Sequence, residues 1–222
     1  MKKSLILVGL MTCSLIVGSA YAGFLGKRYI SLGIGSVRPG DDEIRDFDSS
    51  ILTYGANCRF PVDSHLDIIA GISRAEISGE MYSYNPYTSL SAYPIVTPVS
   101  IDGTSTTFRG GLTYQFKPGE KINPYVGIGF AWNKTELESM GESIDEDDTG
   151  AVLGGGLEAN VNEQLSFGLG ISYHTEMYDE DETSLGVGLD FWATPQLLLS
   201  FGAEYALSSK DAGVSGGVGF GF

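Results

Sequence analysis

Ten separate runs of this chain alternate apolar with small or polar residues, and no other feature limits its fold so tightly. Period two is the signature of a strand with two unlike faces. In "LSFGLGISYH", Leu165, Phe167, Leu169, Ile171 and Tyr173 fall on one face, with Ser166, Gly168, Gly170, Ser172 and His174 on the other. The closing run sets Val214, Val218, Phe220 and Phe222 against Ser215, Gly217, Gly219 and Gly221. These last residues read as part of the sheet, closing against the first run, with their aromatics toward lipid.

Alternation alone also suits a soluble sandwich with one wet face. The connections separate the two. After even-numbered runs they are short, "DSH" (63–65), "KPGEKINP" (117–124), "NEQ" (162–164) and "ATPQ" (193–196); after odd-numbered runs they are long, 38–50, 78–106, 134–150 and 175–183, with 208–213 the exception. Short turns at one rim and long loops at the other belong to transmembrane barrels. The expected fold is an all-β, antiparallel, up-and-down transmembrane β-barrel of ten strands, with eight as the alternative. Glycine supports it: 31 of 222 residues are Gly, mostly on the polar faces, where a cramped interior needs small side chains. Phe60, Phe116 and Phe191 are expected at the short-turn rim with Phe220 and Phe222, and Trp132, Tyr173 and Tyr205 at the other.

The opening stretch has a different character. Lys2 and Lys3 precede an apolar run to Gly18, then Ala20-Tyr21-Ala22, so residues 1–22 are expected to be a cleaved signal peptide and 23–222 the barrel domain. Removing two lysines takes the formal charge from −15 to −17, a poor surface for nucleic acid. Cys58 is then the one remaining cysteine, placed on a lipid-facing position, and no disulfide framework is possible.

Three segments carry a family resemblance: "NPYVGIGFAW" (123–132), "GGGLEANVNEQLSFGLGISYH" (154–174) and "GVGFGF" (217–222). With them the chain resembles the small outer-membrane β-barrels of the opacity-protein and OmpA-like type. The resemblance implies an outer-membrane location among lipid and lipopolysaccharide, and a terminal strand, Val218, Phe220 and Phe222, read by the barrel-assembly machinery. It departs from the common eight-strand form. Ten strands occur in some surface proteases and adhesins, which leaves the function open.

Six charged residues fall on lumen-facing positions: Arg59, Asp67, Arg109, Glu158, Asp190 and Glu204. They are expected to form an ion-pair network filling a narrow interior, with Arg59, Asp67, Glu158 and Asp190 at similar depth near the short-turn end. The alternative is a narrow channel for cations or small solutes. The outer connections are acidic, and Asp145, Asp147, Thr149 and Gly150 mimic part of a calcium loop, but Gly156 stands where its closing glutamate is required. No metal or cofactor is expected. Tyr82, Tyr84, Tyr87 and Tyr93 enrich the second outer connection in contact chemistry. His174 reads as a polar strand end at the outer rim. A rim enzyme centred on it, modifying lipid A or cleaving protein, is the third reading, but no serine or aspartate stands at the spacing such enzymes use. The expectation is a monomeric, non-enzymatic envelope or adhesion protein, touching a host or matrix surface through its loops.

Overall fold

The computed structural model describes residues 27–38, 40, 51–85, 95–139, 142–177 and 180–222. The leader assigned to 1–22 lies outside them. Ten strands follow one another: β1 (Tyr29–Arg38), β2 (Ile51–Pro61), β3 (Leu66–Asn85), β4 (Ile95–Gln115), β5 (Ile122–Ser139), β6 (Glu142–Asn160), β7 (Leu165–Met177), β8 (Glu180–Trp192), β9 (Leu197–Ala206) and β10 (Ala212–Gly221). Each pairs antiparallel with its neighbours in the chain, and β1 pairs with β10, so the sheet closes. Ten strands are present, not eight. Closure leaves no unpaired edge, the condition lipid imposes on a spanning sheet. The seam runs from Tyr29 opposite Gly221 to Arg38 opposite Ala212. Beyond it the Phe222 N–H donates to the Arg28 carbonyl (3.1 Å).

The faces follow the alternation. Ile30, Leu32 and Ile34 of β1, and Leu165-neighbouring Phe167, Leu169 and Ile171 of β7, point outward, whereas Ser31, Ser166 and Ser172 are buried in the lumen. Three of the short turns share one device. Asp63 Oδ1 accepts the N–H groups of His65 and Leu66 (2.7 and 2.8 Å), Asn162 Oδ1 those of Gln164 and Leu165 (2.8 Å each), and Thr194 Oγ1 those of Gln196 and Leu197 (3.3 and 3.0 Å). The side chain replaces the ladder just where the chain reverses. The fourth turn needs a left-handed residue, supplied by Gly119 at φ 80°.

Two of the expected long loops are largely strand. β3 and β4 have 20 and 21 residues, β5 and β6 have 18 and 19, against 10 for β1, β9 and β10. The segments 78–106 and 134–150 lose their apolar face and so look like loops. Yet Thr104, Thr106, Thr107 and Thr135 are β-branched, and a ladder standing in water tolerates polar residues on both faces. One wall of the barrel therefore rises well above the other.

Glycines on the inner wall make room for neighbours. A Cβ on Gly156 would lie 2.5 Å from the Tyr125 hydroxyl and would also strike the Leu169 carbonyl, and one on Gly170 would lie 2.6 Å from the same hydroxyl. Tyr125 thus lies across β6 and β7 through their glycines.

Candidate functional site

The lumen is closed at the short-turn end by a buried polar chain crossing five strands. Arg59 on β2 donates from Nε (3.0 Å) and Nη2 (2.5 Å) to Asp67 Oδ2 on β3. Gln115 on β4 donates to that same oxygen. Asn123 on β5 donates to Gln115 Oε1 (3.1 Å) and to Glu158 Oε2 on β6 (3.5 Å), while its own Oδ1 accepts the Lys117 N–H (2.9 Å). Asp190 on β8 lies within electrostatic reach of Glu158 and Arg59. Arg59, Asp67, Gln115, Asn123, Glu158 and Asp190 are all 4% exposed or less. Beside them Tyr29, Trp192 and Leu198 form an apolar cluster, the two rings edge to face with centroids 6.4 Å apart. Buried charge persists only when paired and hydrogen-bonded. This arrangement places buried side chains of β2 to β6 and β8 within the short-turn end of the lumen.

The structure brings together four of the six lumen charges, Arg59, Asp67, Glu158 and Asp190. It does not bring Arg109 and Glu204 to them. Arg109 is six residues above Gln115 on β4, roughly 20 Å along the strand at ~3.3 Å per residue, and its register partner is Gly71. Glu204 is correspondingly above Leu198 on β9 and opposite Gly186. Alternation fixes which way a side chain points but carries no depth, so a single network of six was the wrong grouping. Among the described residues the Arg109 guanidinium nitrogens, all buried, have no hydrogen-bond partner. They face a cavity of about 40 Å³ lined by Asn57, Ile69, Gly71, Gly111, Gly129 and Gly154. A space of that size holds roughly three waters at ~10–15 Å³ each, sufficient to hydrate the guanidinium.

His174 is also placed differently from expectation. It is 4% exposed, inside the barrel, opposite Val152 on β6 and Glu182 on β8. The strand does not end there; β7 continues to Met177 past a register shift, and this carries the histidine under the rim. Glu182 is committed elsewhere, accepting the N–H groups of Ser208 and Ser209 (3.1 and 3.2 Å). His65 sits in its turn, with Nδ1 2.8 Å from the Gln115 carbonyl and its ring stacked on Tyr114. Cys58 lies on the outer face, 3.6 Å from the Ala70 carbonyl. Among the described residues, no three His, Cys, Asp or Glu side chains gather to hold a metal.

Sequence reasoning left Gln115, Asn123, Trp192, Tyr29 and Leu198 unassigned to the closure. The signal existed for Trp192, since it follows outward-facing Phe191 and must point inward.

Aromatics mark both rims. Phe60 meets Phe222 edge to face (6.1 Å) and Tyr114 meets Phe116 (5.3 Å) at the short-turn end; Phe108 packs on Trp132 (5.4 Å) toward the other. Above that rim the outer face of the tall wall is acidic. Lys134 Nζ lies 2.6 Å from Glu136 Oε1 and 3.4 Å from Asp145 Oδ2, and Glu136 faces Asp145 across the β5–β6 ladder. The bond to Glu136 holds the Lys134 amine above its ordinary range, and the bond from Lys134 holds the Glu136 carboxyl below its own. Tyr82 and Tyr84, expected in a loop, belong to β3 opposite Pro98 and Val96; Tyr87 and Tyr93 lie outside the described residues.

The sequence matches the family described as outer membrane protein beta-barrel domain over residues 5–191. No curated protein matches. Among solved structures, the translocator domain of the autotransporter NalP from Neisseria meningitidis is 13% identical, with a TM-score of 0.53 over 100% of this chain and 96% of that one. Ail of Yersinia pestis, solved with the heparin analogue sucrose octasulfate, is 14% identical with a TM-score of 0.43, covering 89% and 99%. The N-terminal barrel of Pseudomonas aeruginosa OprF is 15% identical with a TM-score of 0.37, covering 87% and 97%.

Proposed function

Because the chain belongs to the outer membrane protein β-barrel domain family, we propose that it is a non-conducting, non-enzymatic surface barrel that makes contacts with its tall outer wall. The supporting observation is the buried chain from Arg59 through Asp67, Gln115 and Asn123 to Glu158, which with Tyr29 and Trp192 crowds the short-turn end of the lumen. A barrel that neither conducts nor aligns catalytic groups acts through its outer surface. That surface carries Glu136, Glu138, Asp145 and Asp147 around a single Lys134 on β5 and β6, so the partner class is cationic: basic segments of a host or matrix protein. Lipopolysaccharide and the assembly machinery, which would read Val218, Phe220 and Phe222, are further proposed partners of a monomer.

Two measurements test the reading. Purified barrel in planar bilayers should give no ion current, whereas Arg59→Ala/Trp192→Ala should; steady current from the wild type refutes the closed bore. In nanodiscs the barrel should bind a polylysine peptide in a salt-sensitive manner, and Glu136→Gln/Glu138→Gln/Asp145→Asn/Asp147→Asn should abolish it. Unchanged binding by that variant refutes the outer face as the contact surface.

A further inference from the structure

The closure contains more negative charge than it can hold alone. Its tier has one buried cation, Arg59, and three buried carboxylates, Asp67, Glu158 and Asp190, all 4% exposed or less; the half-buried Lys27 places its ammonium over the Trp192 ring (4.1 Å). Arg59 and Gln115 are spent on Asp67, and Asn123 reaches only Glu158 Oε2. Left over, buried and without a hydrogen-bond partner among the described residues, are Glu158 Oε1, both oxygens of Asp190 and the Ser166 hydroxyl.

These four oxygens are neighbours. Ser166 stands directly opposite Asp190 in the β7–β8 ladder. Glu158 stands opposite Gly168, one inward position along β7 from Ser166. Directly opposed Cβ atoms lie ~4.5–5.5 Å apart and diagonal ones ~7–8 Å, so the three side chains can converge on one point. Gly168, and Gly188 opposite it, put no side chain between them. Burial of Glu158 beside Asp190 sets like charges against each other in a dry compartment, an arrangement that needs either a counter-charge or bound protons.

We infer that Glu158, Ser166 and Asp190 form a site for one divalent, oxygen-seeking cation of the calcium or magnesium class, which cross-links β6, β7 and β8 inside the closure. The donor set is two carboxylates and a hydroxyl, hard oxygens that suit such ions and not zinc or copper. A double positive charge balances the excess of two negative charges. The site lies inside the barrel, apart from the acidic outer wall, and is independent of what that wall binds.

Terbium, a luminescent substitute for calcium, gives a direct readout. Of the two tryptophans in the chain, Trp192 lies on β8 one inward position from Asp190, and Trp132 lies toward the opposite rim. The refolded barrel in micelles should show saturable terbium emission through Trp192, displaced by calcium, lost in Trp192→Phe and retained in Trp132→Phe. Glu158→Gln/Asp190→Asn should lose it, and Ser166→Ala should weaken it. Calcium should raise the urea midpoint of the wild type and a chelator lower it, a comparison that needs no variant to fold. Emission that survives Glu158→Gln/Asp190→Asn would place the metal on the outer wall and overturn the proposal. Wild-type stability indifferent to chelator would overturn it in favour of carboxylates sharing protons.

Discussion

Replacing Arg59 with methionine keeps the aliphatic stem and deletes the charge that Asp67, Glu158 and Asp190 share. Asp67 loses two charge-assisted bonds, at 3.0 and 2.5 Å, each worth ~1.5–3 kcal/mol. It retains the bond from Gln115, while Glu158 and Asp190 lose their nearest cation. Breaking a buried pair from one side costs ~3–5 kcal/mol, because the remaining charge stays buried. At ~1.4 kcal/mol per tenfold, the folded-to-unfolded ratio should fall by roughly two to four powers of ten. The further change Asp67→Leu should recover most of that loss, since it removes the stranded charge. The assay is equilibrium urea unfolding in micelles with excess chelator, followed by tryptophan emission in a Trp132→Phe background, so that Trp192, buried against Tyr29, reports on the closure itself. A cost below ~1 kcal/mol, the level of an exposed pair, would refute the reasoning. So would a double variant no more stable than the single one.

Three further outcomes are expected. Gly156→Ala should cost ~1–3 kcal/mol, as overpacking does, because its Cβ meets the Leu169 backbone as well as the Tyr125 ring; Gly170→Ala meets only the phenol and should be rescued by Tyr125→Phe, in urea unfolding. A double-mutant cycle on Phe60 and Phe222, whose rings meet at 6.1 Å, should give a coupling of ~0.5–1.5 kcal/mol, and none if the contact is absent in lipid. Amide-exchange protection at 134–147 should be flat between the ordinary values of its pair, 4.5 for Glu136 and 10.5 for Lys134. Because Glu136 is depressed, its contribution is present above 4.5 and lost as pH falls through the lower folded value; because Lys134 is raised, its contribution is present below 10.5 and lost as pH climbs through the higher one. Lys134→Met should remove the alkaline limb and most of the acid one, Arg74 keeping a small remainder.

The barrel was legible because lipid imposes a strict rule on every spanning residue. Ile30, Phe167 and Phe220 had to face out, and Gly168, Gly170 and Ser166 had to face in. Above the bilayer that rule lapses. The stretch from Thr104 to Thr107 pairs with β5 as firmly as any apolar run, but water rewards no face and the alternation goes silent. Depth is the other blind spot. Arg59 and Asp67 could be put together because a three-residue turn joins their strands, whereas Arg109 and Glu204 sit far from any short turn and the sequence offers no ruler for them. His174 was misjudged on the same ground, since nothing in "YHTEM" announces three more residues of strand.

The unbroken length of β3 and β4 also has a mechanical meaning. Their ladder runs without interruption from Asn85 opposite Ile95 down to Leu66 opposite Tyr114, so anything that grips the top of the tall wall tugs lengthwise on a sheet rooted in lipid. Force along the strands loads many rungs sideways at once and cannot peel them one by one. Under the proposed contact role, a grip on this wall would resist detachment by flow better than a tether hung from a loop.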